Sequence, residues 1–301
     1  MKHIFLTGGT GFFGKSILSM VMRGTFPEYQ FTILSRNPER FLDDNSEFQA
    51  IESVSYIQGD VRDFQFPQGH FDYVLHAGTP AMDLPPGVQR DIILKGTERT
   101  LDFAKQCGAE KFMFVSSGAV YGPQPANLEL IPENSSCHPC SEYGIAKLEA
   151  EQMCISSGIH TLLPRCFAFV GPYLNRNIHF AIGNFIRDAL NNEIIEIKGD
   201  GTPLRSYMYA DDLVRWIFTI MEHGHNGRPY NVGSDEAISI LELAKTVRDV
   251  LKSKAEIHVA STPIDDHKPS RYIPSIERAK TEFDLSLSVS LKSAILKSVH
   301  P

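Results

Sequence analysis

The stretch Phe5–Ser16, FLTGGTGFFGKS, fits two phosphate-binding patterns that imply different proteins. Counted from Gly9 it reads G-x-x-x-x-G-K-S, the spelling of a loop that grips a nucleoside triphosphate; counted from Gly8 it reads G-x-x-G-x-x-G, a dinucleotide fingerprint. Both place glycines between a first strand and a first helix, where backbone N–H groups and the helix dipole hold phosphate oxygens. They differ in what must surround them. A triphosphate loop needs an Asp closing another strand to hold magnesium. The run YVLHAG ends instead in His76, Ala77 and Gly78, while VSYIQGD does end in Asp60, so that reading is weakened without being removed. The fingerprint assigns Gly8 to a tight turn, Gly11 to close approach of a pyrophosphate and Gly14 to close packing of helix on strand. Lys15 and Ser16 then have no phosphate duty.

Around this loop, runs of β-branched and aromatic residues alternate with longer amphipathic stretches. They are HIFLTG, a helix from about Phe12 to Arg23, FTILS, VSYIQGD, YVLHAG, a helix from about Val88 to Cys107, KFMFVSS, a helix from about Ser141 to Ser157, and HTLLPRC. This is the βαβ rhythm of an α/β protein with a Rossmann-type, doubly wound parallel sheet, whose ligands sit at the carboxyl ends of the strands. After Gly171 and Pro172 the pieces shorten: a helix near 178–191, the strand IIEIKG, a helix from about Asp211, the strand PYNVGS, and helices near 239–253 and 275–299. We expect a dinucleotide-binding domain over residues 1–170, rejoined by 204–235, and a smaller C-terminal substrate-binding lobe over 171–203 and 236–301.

A chain of 301 residues can bury a full core. Its 36 acidic and 29 basic residues leave a formal charge of −7, which argues against a surface for nucleic-acid backbones or anionic membranes and for a small anionic ligand. No apolar run approaches the roughly 18 residues of a membrane-spanning helix. Glycines at 8, 9, 11 and 14 interrupt the one N-terminal stretch that faintly resembles a signal peptide, so a cytoplasmic protein is expected. Five cysteines, an odd number, do not suggest a disulfide framework. CHPC, Cys137–Cys140, has redox spacing ahead of a helix, but it lacks both a second cysteine pair for zinc and a thioredoxin-like βαβ surround. It reads as a loop with two incidental thiols, and no metal is expected.

Two later segments decide the opening question. VSSGAVYG closes a strand at Ser116 and Ser117, and SEYGIAK sets Tyr143 and Lys147 four apart on one helix face. With TGGTGFFG, GDVRD, HAG, PRCFAFVGP and GDGTPLRSYMYADD in this order, the chain resembles the extended short-chain dehydrogenase/reductase family from Lys2 to about Leu287. Within it the likeness is to the nucleotide-sugar epimerases, dehydratases and reductases. The opening stretch is then a dinucleotide loop.

The resemblance implies roles. Tyr143 is the expected general acid and base, since a lysine ammonium and a cationic nicotinamide both favour its phenolate. Lys147 would supply that field and bond the nicotinamide ribose, and Ser117 would hold the substrate oxygen. Cofactor contacts are expected from Gly8, Gly11, Phe12, Phe13 and Gly14, from Asp60 and Val61 beside adenine, from Ala77, Gly78 and Thr79 around the dinucleotide, and from Tyr143 and Lys147. After the second strand, Ser35 and Arg36 stand where NAD-preferring members carry an acid. A hydroxyl and a guanidinium suit a 2′-phosphate, so NADP(H) is expected, with NAD(H) as the alternative. Arg205 and Arg271 are similar to two arginines that hold the substrate's nucleotide diphosphate, and NEIIEIKG, residues 192–199, resembles the segment lining the base pocket.

Departures from the pattern narrow the reaction. Dehydratases of this branch follow the strand-end hydroxyl with an acid, where this chain has Gly118 and Ala119; the branch's usual asparagine before the Gly-Pro is Ala168. The expected activity is reduction by NADPH of the 4-keto group of a dTDP-type 6-deoxy sugar, similar to the dTDP-4-dehydro-6-deoxyglucose reductases. The alternatives are an NDP-sugar 4-epimerase with tightly bound NAD, and a non-catalytic cofactor-binding regulator, against which the intact Ser117, Tyr143 and Lys147 set argues. The resemblance also implies a homodimer formed through the helices at 88–107 and 141–157.

Overall fold

The computed structural model describes residues 1–79, 84, 85, 87–178, 180–263 and 268–300. The chain forms two compact units, one of Met1–Val120, Pro139–Arg165 and Ile217–Pro229, the other of Tyr121–His138, Cys166–Trp216 and Tyr230–Pro301.

The first unit is built on the strands β1 (Lys2–Thr7), β2 (Tyr29–Ser35), β3 (Val54–Gln58), β4 (Tyr73–His76), β5 (Lys111–Phe114), the two-residue β6 (Ser116–Ser117) and β7 (Thr161–Cys166). Between them run the helices α1 (Phe12–Met22), α2 (Pro38–Asp44), α3 (Val88–Gln106) and α4 (Glu142–Ile155). Strands β3-β2-β1-β4-β5-β7 lie side by side in that order, every pair parallel, and β6 pairs with β7. This is the expected Rossmann α/β architecture. Its strands read as nearly continuous apolar runs because a parallel sheet is covered on both faces; all four residues of β4 are buried.

The rings of Phe5, Phe64, Phe71, Phe103, Phe112 and Phe114 fill the core, with the centroids of Phe5 and Phe103 4.5 Å apart. Helix α4 brings Ala146, Ala150 and Cys154 into the same cluster. Ser141 starts that helix by accepting from Gly144 N at 3.1 Å. Helix α2, which no hydrophobic period announces, is set by local chemistry. Asn37 accepts from Arg40 N at 3.0 Å, and Pro38 opens the first turn.

The starts of three strands meet the carboxylate of Glu222, and that of a fourth meets the backbone beside it. Lys2 Nζ bonds Glu222 Oε2 at 2.9 Å and also the Tyr73 hydroxyl, Tyr29 donates to Glu222, and Tyr73 donates to Glu222 Oε2 at 3.2 Å. Lys111 Nζ donates to the carbonyls of Met221 and Glu222 at 2.8 and 2.6 Å, satisfying acceptors at the end of the helix Ala210–His223.

The second unit packs the helices Ala181–Asn191, Ile240–Val250 and Leu291–Val299 around Ile182, Phe185, Ile186, Leu243, Val247 and Ile295. Strands Ile195–Ile197 and Ile257–Val259 pair in parallel beside this core. A separate ribbon sets Leu204–Arg205 between Ile238–Ser239, antiparallel, and Arg271–Tyr272, parallel. The single helix expected over 275–299 is in fact two, Glu277–Phe283 and Leu291–Val299. Asp284, left-handed at φ 53°, ends the first. The buried carboxylate of Asp212 then accepts from Ser288 N at 2.9 Å, Ser288 Oγ at 2.5 Å and Val289 N at 3.2 Å, holding the break open.

Candidate active site

Strands β1 and β4 end in register, Thr7 opposite Tyr73's strand-mate His76, at the point where the strand order changes direction. Ligands of such sheets bind outside the carboxyl ends of the strands at that point. Gly8, at φ 76°, leaves β1 so close to the neighbouring loop that any Cβ would overlap the Ala77 carbonyl, and a Cβ at Gly14 would run into Gly9. Gly11 begins α1 with no side-chain cap, and the first turn carries no acid. A Cβ there would meet nothing nearer than Gly8 O at 3.5 Å. The leading N–H groups and the positive end of α1 thus suit an anion approached along the backbone, as a pyrophosphate requires. Phe12 and Phe13, edge to face with centroids 5.9 Å apart, form the first turn. Lys15 Nζ donates to Asn45 Oδ1 at 2.7 Å, and the buried Ser16 Oγ donates to Phe12 O at 2.7 Å, so the two residues that spelled a triphosphate loop are engaged elsewhere.

At the end of β2, Ser35 is buried and its Oγ accepts from Asn37 N at 3.3 Å, while Arg36 is exposed. Asp60 is gripped by Arg62, whose Nε and Nη2 donate to its two oxygens at 2.8 and 3.1 Å. That hydrogen bonding holds the Asp60 carboxyl below its ordinary range, with Arg36 adding a smaller pull. Val61 lies against Gly96 of α3.

The residues expected to do chemistry lie on α4 and β6, two elements that pack together. Lys147 is buried, and its Nζ donates to Thr79 Oγ1 and to Val115 O, each at 2.7 Å. It stands 4.6 Å from the centroid of the Phe114 ring and 5.7 Å from that of Tyr143. Ser117 Oγ accepts from Ala119 N at 3.1 Å in the 3-10 turn Gly118–Tyr121. Gly144, beside the tyrosine, is needed for this approach: a Cβ there would sit 2.6 Å from Ala119 O.

Several supporting groups have no local sequence signal. Thr7 Oγ1 accepts from Gly78 N at 3.0 Å and lies 2.6 Å from His76 Nδ1. One helical turn beyond Lys147, Glu151 is buried with Arg165, which donates to both its oxygens at 3.0 and 2.7 Å, while Ser116 Oγ donates to it at 2.5 Å. The four-residue step from Lys147 to Glu151 repeats that from Tyr143 to Lys147, and it is the one hint the sequence offered of this network.

In the second unit, Arg205 and Arg271 occupy neighbouring strands, Arg205 paired with Tyr272 and Arg271 with Leu204. Strand alternation therefore points them to opposite faces of the ribbon. Arg205 Nη1 folds back onto Leu204 O at 2.8 Å, whereas Arg271 Nε is buried without a hydrogen-bond partner.

Residues 4–233 match the NAD dependent epimerase/dehydratase family. The chain belongs to that family. The protein is accordingly an enzyme, an oxidoreductase or epimerase of that family. By sequence the chain is similar to UDP-glucuronic acid decarboxylase 1 of Xenopus tropicalis, 28% identical over 316 residues that cover 99% of this chain and 72% of the relative. By fold it is similar to dTDP-glucose 4,6-dehydratase from Bacillus anthracis in complex with NAD, with TM-score 0.83, 20% identity and coverage of 100% and 96%. It is similar also to UDP-glucuronic acid 4-epimerase from Bacillus cereus in complex with UDP-glucuronic acid and NAD, with TM-score 0.82, 22% identity and coverage of 99% and 98%.

These findings overturn two expectations, the NADPH-dependent reduction of a 4-keto sugar and the preference for NADP(H). The relatives are decarboxylases, epimerases and a dehydratase, and the two solved proteins hold NAD. The physical reason lies at the end of β2: a single exposed guanidinium, with the carboxylate of Asp60 drawing on its charge, is not a built 2′-phosphate site. No helix among the described residues is long and apolar enough to cross a membrane.

Proposed function

We propose that this protein is a nucleotide-sugar 4-epimerase that keeps NAD bound throughout its cycle. One observation carries the reading: Tyr143 and Lys147 are intact on α4, while the turn that follows Ser117, Gly118–Tyr121, contains no carboxylate. The glycine turn and the uncapped start of α1 fit the pyrophosphate of such a cofactor, with Gly8, Gly11 and Gly14 as its floor. NAD, when bound, supplies the acceptance and return of hydride at the sugar's C4.

The chain's own residues handle the proton. Ser117 holds the C4 oxygen, and Tyr143 as phenolate removes the hydroxyl proton and later gives it back to the same oxygen in the inverted configuration. The Lys147 ammonium, fixed on Thr79 and Val115, keeps positive charge beside that phenol. Oxidation and reduction cancel, so no dissociable reductant is consumed. With no acid beside Ser117 to remove a second proton, the keto sugar is returned to the alcohol and not dehydrated. In the second unit, Arg271, whose buried Nε is the donor still to be satisfied, is the proposed contact for the nucleotide diphosphate, and Arg205, on the opposite face of the ribbon, is not proposed to share it.

The 28% likeness to a UDP-glucuronic acid decarboxylase favours a second reading, decarboxylation of a nucleotide-linked hexuronic acid. It begins with the same C4 oxidation, which turns the C6 carboxylate into a β-keto acid that loses CO₂ readily. Purified protein should be incubated, without added cofactor, with UDP-glucose, UDP-N-acetylglucosamine and UDP-glucuronic acid, and C4 configuration read by NMR. Inversion at C4 is expected. Release of CO₂ from the uronic acid would move the assignment to the second reading, and turnover that depends on added NADPH would end both.

A further inference from the structure

We infer that Thr79 is a positioning residue for Lys147: its hydroxyl oxygen, held by the hydrogen bonds that anchor the adjoining Gly78, fixes the ammonium on which Tyr143 depends. This rests on the proposed proton transfer by Tyr143 and assigns Thr79 a role beyond contact with the dinucleotide.

A buried ammonium must be given acceptors, because its water has been removed. Lys147 has Val115 O and Thr79 Oγ1, both at 2.7 Å. The first belongs to the strand backbone and is independent of side-chain identity; the second depends on residue 79 being Thr or Ser. Thr79 is in turn held by its surroundings. Its N–H donates to Ala77 O at 2.9 Å, and Gly78 N donates to Thr7 Oγ1 at 3.0 Å.

The hydrogen-bond directions around Thr7 can be worked out. Thr97 Oγ1 donates its proton to Ile93 O at 2.6 Å, so toward His76 Nε2, 3.2 Å away, it accepts. His76 therefore carries its proton on Nε2, and Nδ1 accepts from the Thr7 hydroxyl at 2.6 Å. Thr7 is left with its lone pairs for Gly78 N. Every member of the chain Gly78–Thr7–His76–Thr97–Ile93 has one assigned direction, which anchors Gly78, the residue before Thr79.

The titratable groups around Lys147 narrow what a disturbance would change. On α4, Glu151 is bound by Arg165 and Ser116, and burial raises the Cys154 thiol. On β4, burial and then the Lys147 charge hold His76 neutral. Tyr143, whose ring centroid lies 5.7 Å from Lys147 Nζ, is the group among the described residues whose ionisation answers to the placement of the ammonium.

The test reads Tyr143 directly, so it does not depend on the substrate being known. Full-length protein labelled with [13Cζ]tyrosine is titrated by NMR, the Tyr143 resonance being the one lost in Tyr143→Phe. Wild type is compared with Thr79→Val, which keeps the shape and removes the acceptor, and with Thr79→Ser, which keeps the hydroxyl. In Thr79→Val the Tyr143 ionisation should move up by about one pH unit, kcat should fall about tenfold and KM should stay within about twofold of wild type. Thr79→Ser should restore the titration and the rate. An unmoved Tyr143 titration in Thr79→Val, or a Thr79→Ser protein displaced as far as Thr79→Val, overturns the assignment. A wild type that turns over none of the sugars removes the proposed reaction, while the Tyr143 titration still decides the role of Thr79.

Discussion

A phenol on its own ionises near pH 10, so the base proposed at Tyr143 rests on the charge placed beside it. Lys147 carries its charge in a buried place with two acceptors and an aromatic face beneath it. Replacing Tyr143 by Phe takes away the proposed proton path and leaves the glycine turn of the cofactor floor unaltered. We predict a kcat lowered by roughly 10² to 10⁴, with NAD content unchanged when the cofactor is released and quantified by chromatography. A rate like wild type would take the phenol out of the mechanism. Tyr143, Lys147 and Ser117 stood out as candidates in the sequence because their signals are local, a four-residue helical spacing and a hydroxyl closing an apolar run, and the fold adds that their elements α4 and β6 pack together. Arg36 misled because a lone exposed arginine carries no record of what it faces. The bond from Lys147 to Thr79 spans 68 residues and follows no period, so only the fold reveals it.

Helix α4 is held to the sheet by more than apolar packing. Glu151 and Arg165 form an ion pair almost out of reach of water, with side chains 1% and 8% exposed, and Ser116 closes it. Such a pair is worth little against a well-packed apolar replacement, yet leaving one member alone buries an uncompensated charge. Glu151→Leu should therefore cost about 3–5 kcal/mol in urea unfolding, and the double variant with Arg165→Leu should recover much of it. Equal losses in single and double variants would show that packing, and not the charge, is what matters there. Element boundaries were less legible than the elements themselves. The pattern of residues 275–299 permits one helix, and the break is imposed from outside it by the carboxylate of Asp212. Helix α2 was legible in principle, from Asn37 and Pro38, but its 7 residues are too few to show a period.

At the scale of the molecule, stability should depend on pH through His76. Burial, and then the nearby Lys147 charge, lower it from 6.5 to about 3. Between those values the unfolded chain binds a proton that the folded chain refuses, so stability rises with pH and is lost as pH falls from 6.5 toward 3. The slope contributed approaches about 1.4 kcal/mol per pH unit. Urea unfolding at pH 7 and pH 5 should show this loss in wild type and a flatter dependence in His76→Gln, whatever that variant's stability at pH 7. Parallel slopes would mean that the folded protein accepts the proton. The meeting of Lys2, Tyr29, Tyr73 and Lys111 with Glu222 has a different consequence, one of timing. As the polypeptide emerges from the ribosome at roughly 5–20 residues per second, the last of those strand starts waits on the order of ten seconds for Glu222 to be made. The nascent sheet spends that interval with two lysines and two tyrosines unanswered, a window in which a chaperone, or a neighbouring chain on the same messenger, can reach it first.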